Sequence, residues 1–152
     1  MWKYPSITKM YEALGAVADD RVQVDGNAGK CFSSSGNKFY EITHSSELSA
    51  IMSNDNTSYW KGELGYPAVA FLLKAGVLEY RAEQGQLLKG IPWKNINQKY
   101  KNDFEKALEH ILQDIDPDKR DSLREYCSLL VEEIKKLELK KLGKQTKPPE
   151  GY

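Results

Sequence analysis

Two histidines, His44 and His110, and two cysteines, Cys31 and Cys127, are the residues best suited to nucleophilic, acid–base or metal chemistry in this chain. Their spacing supports little of it. The cysteines match no paired-thiol metal or redox motif and are too few for a disulfide framework. They read as two small, semi-buried thiols in a reducing cytosol. His110 follows Glu109, off the apolar stripe of Leu108, Ile111 and Leu112, and reads as a solvated helix residue. His44 stands in a polar loop and meets Cys31 only if the intervening hairpin pairs suitably; such a Cys–His pair has no orienting third group in the sequence. Residues 26–30, Gly-Asn-Ala-Gly-Lys, lead into a strand where a phosphate-cradling loop needs a helix. Ser33-Ser34-Ser35-Gly36 fails as a nucleophile elbow for the same reason. The adjacent pairs Asp19-Asp20 and Glu132-Glu133 diverge by about 100° on a helix and share no acid–base site. No catalytic residue, metal or cofactor is therefore expected.

A denser grouping is aromatic. Tyr59, Trp60 and Tyr66 cluster among Gly62 and Gly65, with Lys61 beside them and Lys38 upstream. Aromatic faces flanked by lysines are what a stacking surface for nucleic-acid bases uses. They also fill the core where a sheet meets a helix, and that is the commoner employment of a tryptophan. If the cluster faces solvent, Lys38, Tyr59, Trp60 and Lys61 are the partner-binding residues. The run Lys135, Lys136, Lys140, Lys141, Lys144 and Lys147 suits the negative end of a helix dipole better than a nucleic-acid footprint.

These groups must be carried by a backbone that changes period along the chain. Ile7, Met10, Tyr11, Leu14, Val17 and Ala18 recur at helical spacing, with Ser6 where a cap belongs and an end near Asp19 and Asp20. Residues 21–25 alternate as a strand with Val22 and Val24 on one face; Gly26, Asn27 and Gly29 suit left-handed turn positions. Residues 30–34 form a second strand, Ser35-Gly36-Asn37 a tight connection, and residues 38–43 a third strand with Tyr40 and Ile42 on one face. A loop at 44–49 leads to a last strand at 50–53. Connections this short require antiparallel pairing. Residues 54–58 read as a turn. Tyr66-Pro67 opens a helix over 68–75 that Gly76 ends, and residues 83–89 form a short helix stopped by Gly90. Ile96, Tyr100, Phe104, Ala107, Leu108, Ile111, Leu112 and Ile115 predict one amphipathic helix over 93–115. Asp116-Pro117 stops it and starts another, whose seam is Leu123, Cys127, Leu130, Ile134 and Leu137, closed by Gly143.

At 152 residues, 40% apolar and 11% aromatic, the chain has the size and composition of one folded domain. A break in composition near Gly90 separates subdomains 1–90 and 91–142, followed by a frayed tail over 143–152. Lysine plus arginine and aspartate plus glutamate each number 22, so a general nucleic-acid binder starts at a disadvantage. The N-terminus carries no signal-peptide pattern, and the longest apolar run, 68–73, is far short of a membrane span. A cytoplasmic protein without a membrane partner is expected.

Residues 30–73 resemble the SWIM zinc-finger family. The likeness rests on the Ser34-Ser35-Gly36-Asn37 turn, the Tyr40-Glu41-Ile42 strand and the apolar helix after Gly65-Tyr66-Pro67. The resemblance places the four zinc-ligand slots at Ile51, Ser53, Ala68 and Ala70, none of which offers a thiolate or imidazole. It therefore implies a zinc-less relative that holds its frame by apolar contacts, and binding of DNA or protein as its role.

The expected fold is α+β: a short antiparallel meander of three or four strands packed with helices, ending in a C-terminal antiparallel helix pair. In that pair Tyr100, Phe104, Leu108 and Ile111 face Leu123, Cys127, Leu130 and Ile134. The expected function is a non-catalytic binding module for a protein or nucleic acid, monomeric rather than homodimeric. The alternative is a small enzyme with its site assembled around His44. A deep polar cleft at His44 favours the enzyme; an exposed aromatic surface favours the module.

Overall fold

The computed structural model describes residues 1–150; Gly151 and Tyr152, the end of the predicted tail, lie outside the described residues. The first apolar stripe forms α1 (Ile7–Ala18). Ser6 holds the cap position, but its hydroxyl lies 3.2 Å from Thr8 Oγ1 and caps no helix N–H. Four antiparallel strands follow: β1 (Val22–Asp25), β2 (Ala28–Phe32), β3 (Phe39–Ser45) and β4 (Ala50–Ser53). Alternation turns Val22, Cys31, Tyr40, Ile42 and His44 inward, where all are buried.

The sheet differs from expectation at its edge. β5 (Lys140–Lys141) lies parallel to β4, with Ala50 opposite Lys140, so the sheet has five strands and is mixed. The intervening helices supply the long crossover that parallel pairing requires. Two lysines carry no apolar alternation, so nothing in their pattern announces a strand. Gly29 also departs from its expected turn role. It lies within β2, where a Cβ would stand 2.6 Å from the Gln23 carbonyl oxygen and 2.7 Å from Phe71 Cδ2. Its missing side chain lets the Phe71 ring reach the strand.

The helices are α2 (Asn56–Lys61), α3 (Tyr66–Lys74), α4 (Ala82–Gln86), α5 (Trp93–Lys99), α6 (Phe104–Leu112) and α7 (Pro117–Leu137). α2 replaces the expected turn: the Asp55 carboxylate accepts from Ser58 N–H, and Gly62 at φ 65° ends the helix. The single helix expected over 93–115 is two. Lys101 and Asn102 adopt left-handed conformations, and the Asp103 side chain then caps α6 by accepting from Lys106 N–H at 3.2 Å. α7 stops at left-handed Glu138, short of Gly143, which frees the chain to enter β5.

α3 runs between α1 and the inner face of the sheet, and α7 lies against α1 and α4. The seam of Leu123, Cys127, Leu130 and Ile134 is buried, but α1 and α4 do more to cover it than α6. One hydrophobic cluster takes in residues from Trp2 to Leu139, on both sides of Gly90. Beyond Gly143, Gln145 Nε2 donates to the carbonyls of Ser58 and Tyr59 at 2.8 and 3.0 Å. No helix among the described residues is long and apolar enough to cross a membrane.

Candidate functional site

On α1, Lys9 and Glu12 stand three residues apart and share a face. On an isolated helix that face would meet water. Here the loop over 33–38, α5 and the start of α6 lean across it, and Lys9 and Glu12 are only 6% and 5% exposed. The result is a cavity of about 240 Å³ between α1, that loop, the head of α2, Tyr66 and α5. The Lys94 N–H, in the first turn of α5, donates to Ser34 Oγ at 3.1 Å and ties helix to loop. Arg21, just beyond α1, donates from Nη1 to the Phe32 carbonyl at 2.9 Å and lies 3.4 Å from Asp19 Oδ2.

Four cations, Lys9, Arg21, Lys38 and Lys94, line this cleft with two carboxylates, Glu12 and Asp55. Asp55 accepts three hydrogen bonds, from Ser53 Oγ at 2.6 Å, Ser58 Oγ at 2.7 Å and Ser58 N–H at 3.1 Å. Glu12 is different. Burial raises its pKa, a tendency that Lys9, a hydrogen bond from Asn97 and Arg21 oppose, while Asp55 reinforces it. Lys9 Nζ sits 4.4 Å from the centre of the Phe104 ring. Burial lowers the pKa of Lys38, helped by the neighbouring charge of Lys94, and Lys38 Nζ lies 5.5 Å from the Tyr40 ring centre. Tyr40 and Tyr66 meet edge to face at 6.4 Å, and burial holds the Tyr66 phenol well above its ordinary range.

Glu12 carries a checkable consequence. A carboxyl whose folded pKa is raised contributes full stability below its ordinary 4.5 and loses it as pH climbs through the raised value. At neutral pH the ionised form is therefore a liability. Glu12→Gln is expected to raise the thermal midpoint at pH 7 and to give no gain at pH 4. A variant less stable than the parent at pH 7 would contradict this account.

The structure disperses the residues singled out from sequence. Lys38 lines the cleft, whereas Tyr59, Trp60 and Lys61 lie on α2 outside it. Trp60 is not core filling. It is 70% exposed, with its ring edge-on to Tyr59 at 4.7 Å. His44 belongs to β3 and not to a loop; it is buried, its ring 5.9 Å from that of Phe71, and burial lowers its pKa. The Cys–His pairing is ruled out by register. Cys31 faces Tyr40, four residues or about 13 Å along the strand from His44. Burial pushes both thiols up to about 12, which leaves them unreactive. His110 is not simply solvated, since its Nδ1 lies 3.1 Å from the Tyr100 hydroxyl.

Lys9, Glu12, Arg21, Lys94 and Asn97 escaped the sequence reading. Lys9 and Glu12 oppose the apolar stripe of α1, where charged residues ordinarily mean solvent, and only the fold covers them. Among the described residues no group of three or more His, Cys, Asp or Glu side chains could hold a metal ion. No curated protein and no solved structure matches the chain. A family's sequence pattern, however, spans every cleft residue, matching positions 2–140, and the chain belongs to that family, described as uncharacterised conserved protein UCP014422.

Proposed function

We propose that this chain is a non-catalytic binding module whose working site is the cleft, and that its ligand is a small molecule carrying a carboxylate or phosphate. The carrying observation is the imbalance of charge: Lys9, Lys38 and Lys94 surround the cavity, together with Arg21, which is paired with Asp19. Of the two carboxylates that line it, Asp55 is turned to Ser53 and Ser58 by three hydrogen bonds, and burial disfavours the charged form of Glu12. A site of this kind favours an incoming anion. The amides of Asn56, Asn97 and Gln98 add hydrogen-bonding groups around it. At about 240 Å³ the cavity is smaller than sites for drug-sized ligands, which points to a compact metabolite. The likeness of residues 30–73 to a SWIM finger belongs to the same proposal. Its slot positions Ile51, Ser53, Ala68 and Ala70 are all buried, which supports a frame held by packing and hydrogen bonds.

A second, enzymatic reading is favoured by one observation and moves from His44 to Glu12. A buried carboxyl with a raised pKa, beside Lys9 and facing a cleft, is the setting of a general acid.

The test is a thermal-shift and calorimetric screen against inorganic phosphate, succinate and small sugar phosphates. At least one is expected to stabilise the protein, and Lys38→Ala with Lys94→Ala to weaken its binding about tenfold or more. No binding by any of them, or binding that ignores the double substitution, overturns the reading. Turnover of a bound compound that Glu12→Gln abolishes would favour the enzyme.

A further inference from the structure

We infer that the exposed end of α2 is a second binding surface, separate from the cleft, and that it takes single-stranded nucleic acid by stacking a base on Trp60. The other two tryptophans, Trp2 and Trp93, are each 4% exposed, so Trp60 at 70% is the exception in this chain. Its ring is braced by that of Tyr59 in a T-shaped contact, and at 70% exposure most of it stays open to solvent. A lone apolar side chain on a surface needs no explanation, but a braced tryptophan within a basic patch fits a stacking platform.

The surrounding charge comes from three separate parts of the chain. Lys61 follows Trp60 directly and is exposed. Lys141 of β5 reaches across to Gly62, its Nζ 3.8 Å from where a Cβ would stand, while lying 5.0 Å from the centre of the Trp2 ring. Lys3 is held beside the same turn, its N–H donating to the Gly62 carbonyl at 3.0 Å. Glu63 is the opposing charge there, and one of its oxygens already accepts from Ser6 N–H at 3.3 Å. Two of the carbonyls at the C-terminal end of α2, which would repel a phosphate, are occupied. Gln145 Nε2 donates to those of Ser58 and Tyr59, and Gly62 N–H donates to that of Ser58.

Zero net charge does not argue against this, because the charge is segregated. Residues 140–147 hold four lysines and no acid, and residues 103–121 hold seven acids against three Lys and Arg. The second stretch offsets the first in the total and lies on other elements, α6 and the start of α7. The flanking lysines supply the phosphate contacts, and Trp60 supplies the base contact, which tolerates any sequence because every base has a π-face.

The test uses the full chain and a fluorescein-labelled oligothymidylate of about 12 nucleotides at about 50 mM salt, read by anisotropy and by quenching of tryptophan emission. Binding is expected, with quenching confined to the exposed tryptophan. Trp60→Ala should weaken it about five- to hundredfold, and Trp60→Phe should restore part of the loss. Lys3→Ala with Lys61→Ala should flatten the salt dependence. Because Trp60 is exposed, Trp60→Ala should stay within about 0.5 kcal/mol of the parent in stability, so lost binding cannot be laid to unfolding. Absence of binding, binding unchanged in Trp60→Ala, or association only with phosphatidylserine vesicles or an acidic peptide would each overturn the inference.

Discussion

Asp55→Ala is expected to lose about 4 kcal/mol of stability in urea unfolding. One carboxylate here holds three donors: Ser53 Oγ at the end of β4, and the hydroxyl and N–H of Ser58 in α2. Ser58 Oγ in turn accepts from Gly65 N–H at 3.3 Å, at the head of α3. Ser53 and Ser58 are fully buried. Stranding a buried donor costs about 1–3 kcal/mol, and loss of the cap about 0.5–2 kcal/mol, with overlap because Ser58 N–H is counted in both. Gly65 belongs to the same arrangement, since a Cβ there would run into the Asp55 carboxylate. Asp55→Asn should fall between parent and alanine, keeping one acceptor and turning the other into a donor. A loss below about 1 kcal/mol for the alanine variant would show that the carboxylate is not the tie between β4, α2 and α3.

Phe71→Ala should cost about 3–5 kcal/mol, the ordinary range for a buried aromatic ring truncated in a core. The ring is 1% exposed, lies under the sheet, touches His44, and passes so close to Gly29 that no side chain fits there. Gly29→Ala attacks the same contact from the strand and should cost about 1–3 kcal/mol. In the Phe71→Ala background part of that penalty should vanish, because the ring no longer opposes the new methyl group. The remainder should persist, since the Gln23 carbonyl lies 2.6 Å away regardless. A coupling of about 0.5–3 kcal/mol is expected from the double-mutant cycle. Strict additivity would mean that Phe71 and Gly29 do not share the contact.

The parts of this fold that were legible in the sequence are those whose signal is local. Tyr40 and Ile42 alternate on β3, Pro67 opens α3, and Asp116-Pro117 starts α7; each is a property of a few neighbouring residues. The misreadings have one cause, a pattern that is ambiguous without its surroundings. The apolar spacing from Ile96 to Ile115 survives a break, because Lys101 and Asn102 leave the helix for only a few residues and Asp103 restarts it. The α2 signal was present, in Asp55 three residues before Ser58 and in Gly62 after Lys61, but the polar run masked it. The cleft was illegible for a stronger reason. Its charged residues come from α1, the segment after it, the 33–38 loop, the head of α2 and α5. Each looks like an ordinary surface residue until the others cover it.

The order in which this chain leaves the ribosome acquires weight from the way β4 is covered. The far edge of β4 pairs with β5, whose residues come almost ninety positions later, while Trp2 Nε1 at the other end of the chain donates to the Ile51 carbonyl at 2.8 Å. Until residues 140–142 emerge, a nascent chain that has already built β1 to β4 presents an unpaired strand edge to its neighbours on the polysome. Such edges recruit other strands. Synthesis at about 5–20 residues per second leaves that edge open for several seconds after β4 is made. A stall within α7 should therefore favour misassembly over simple delay. Chaperone capture of this protein should peak on chains arrested before β5 and fall sharply once it has been released.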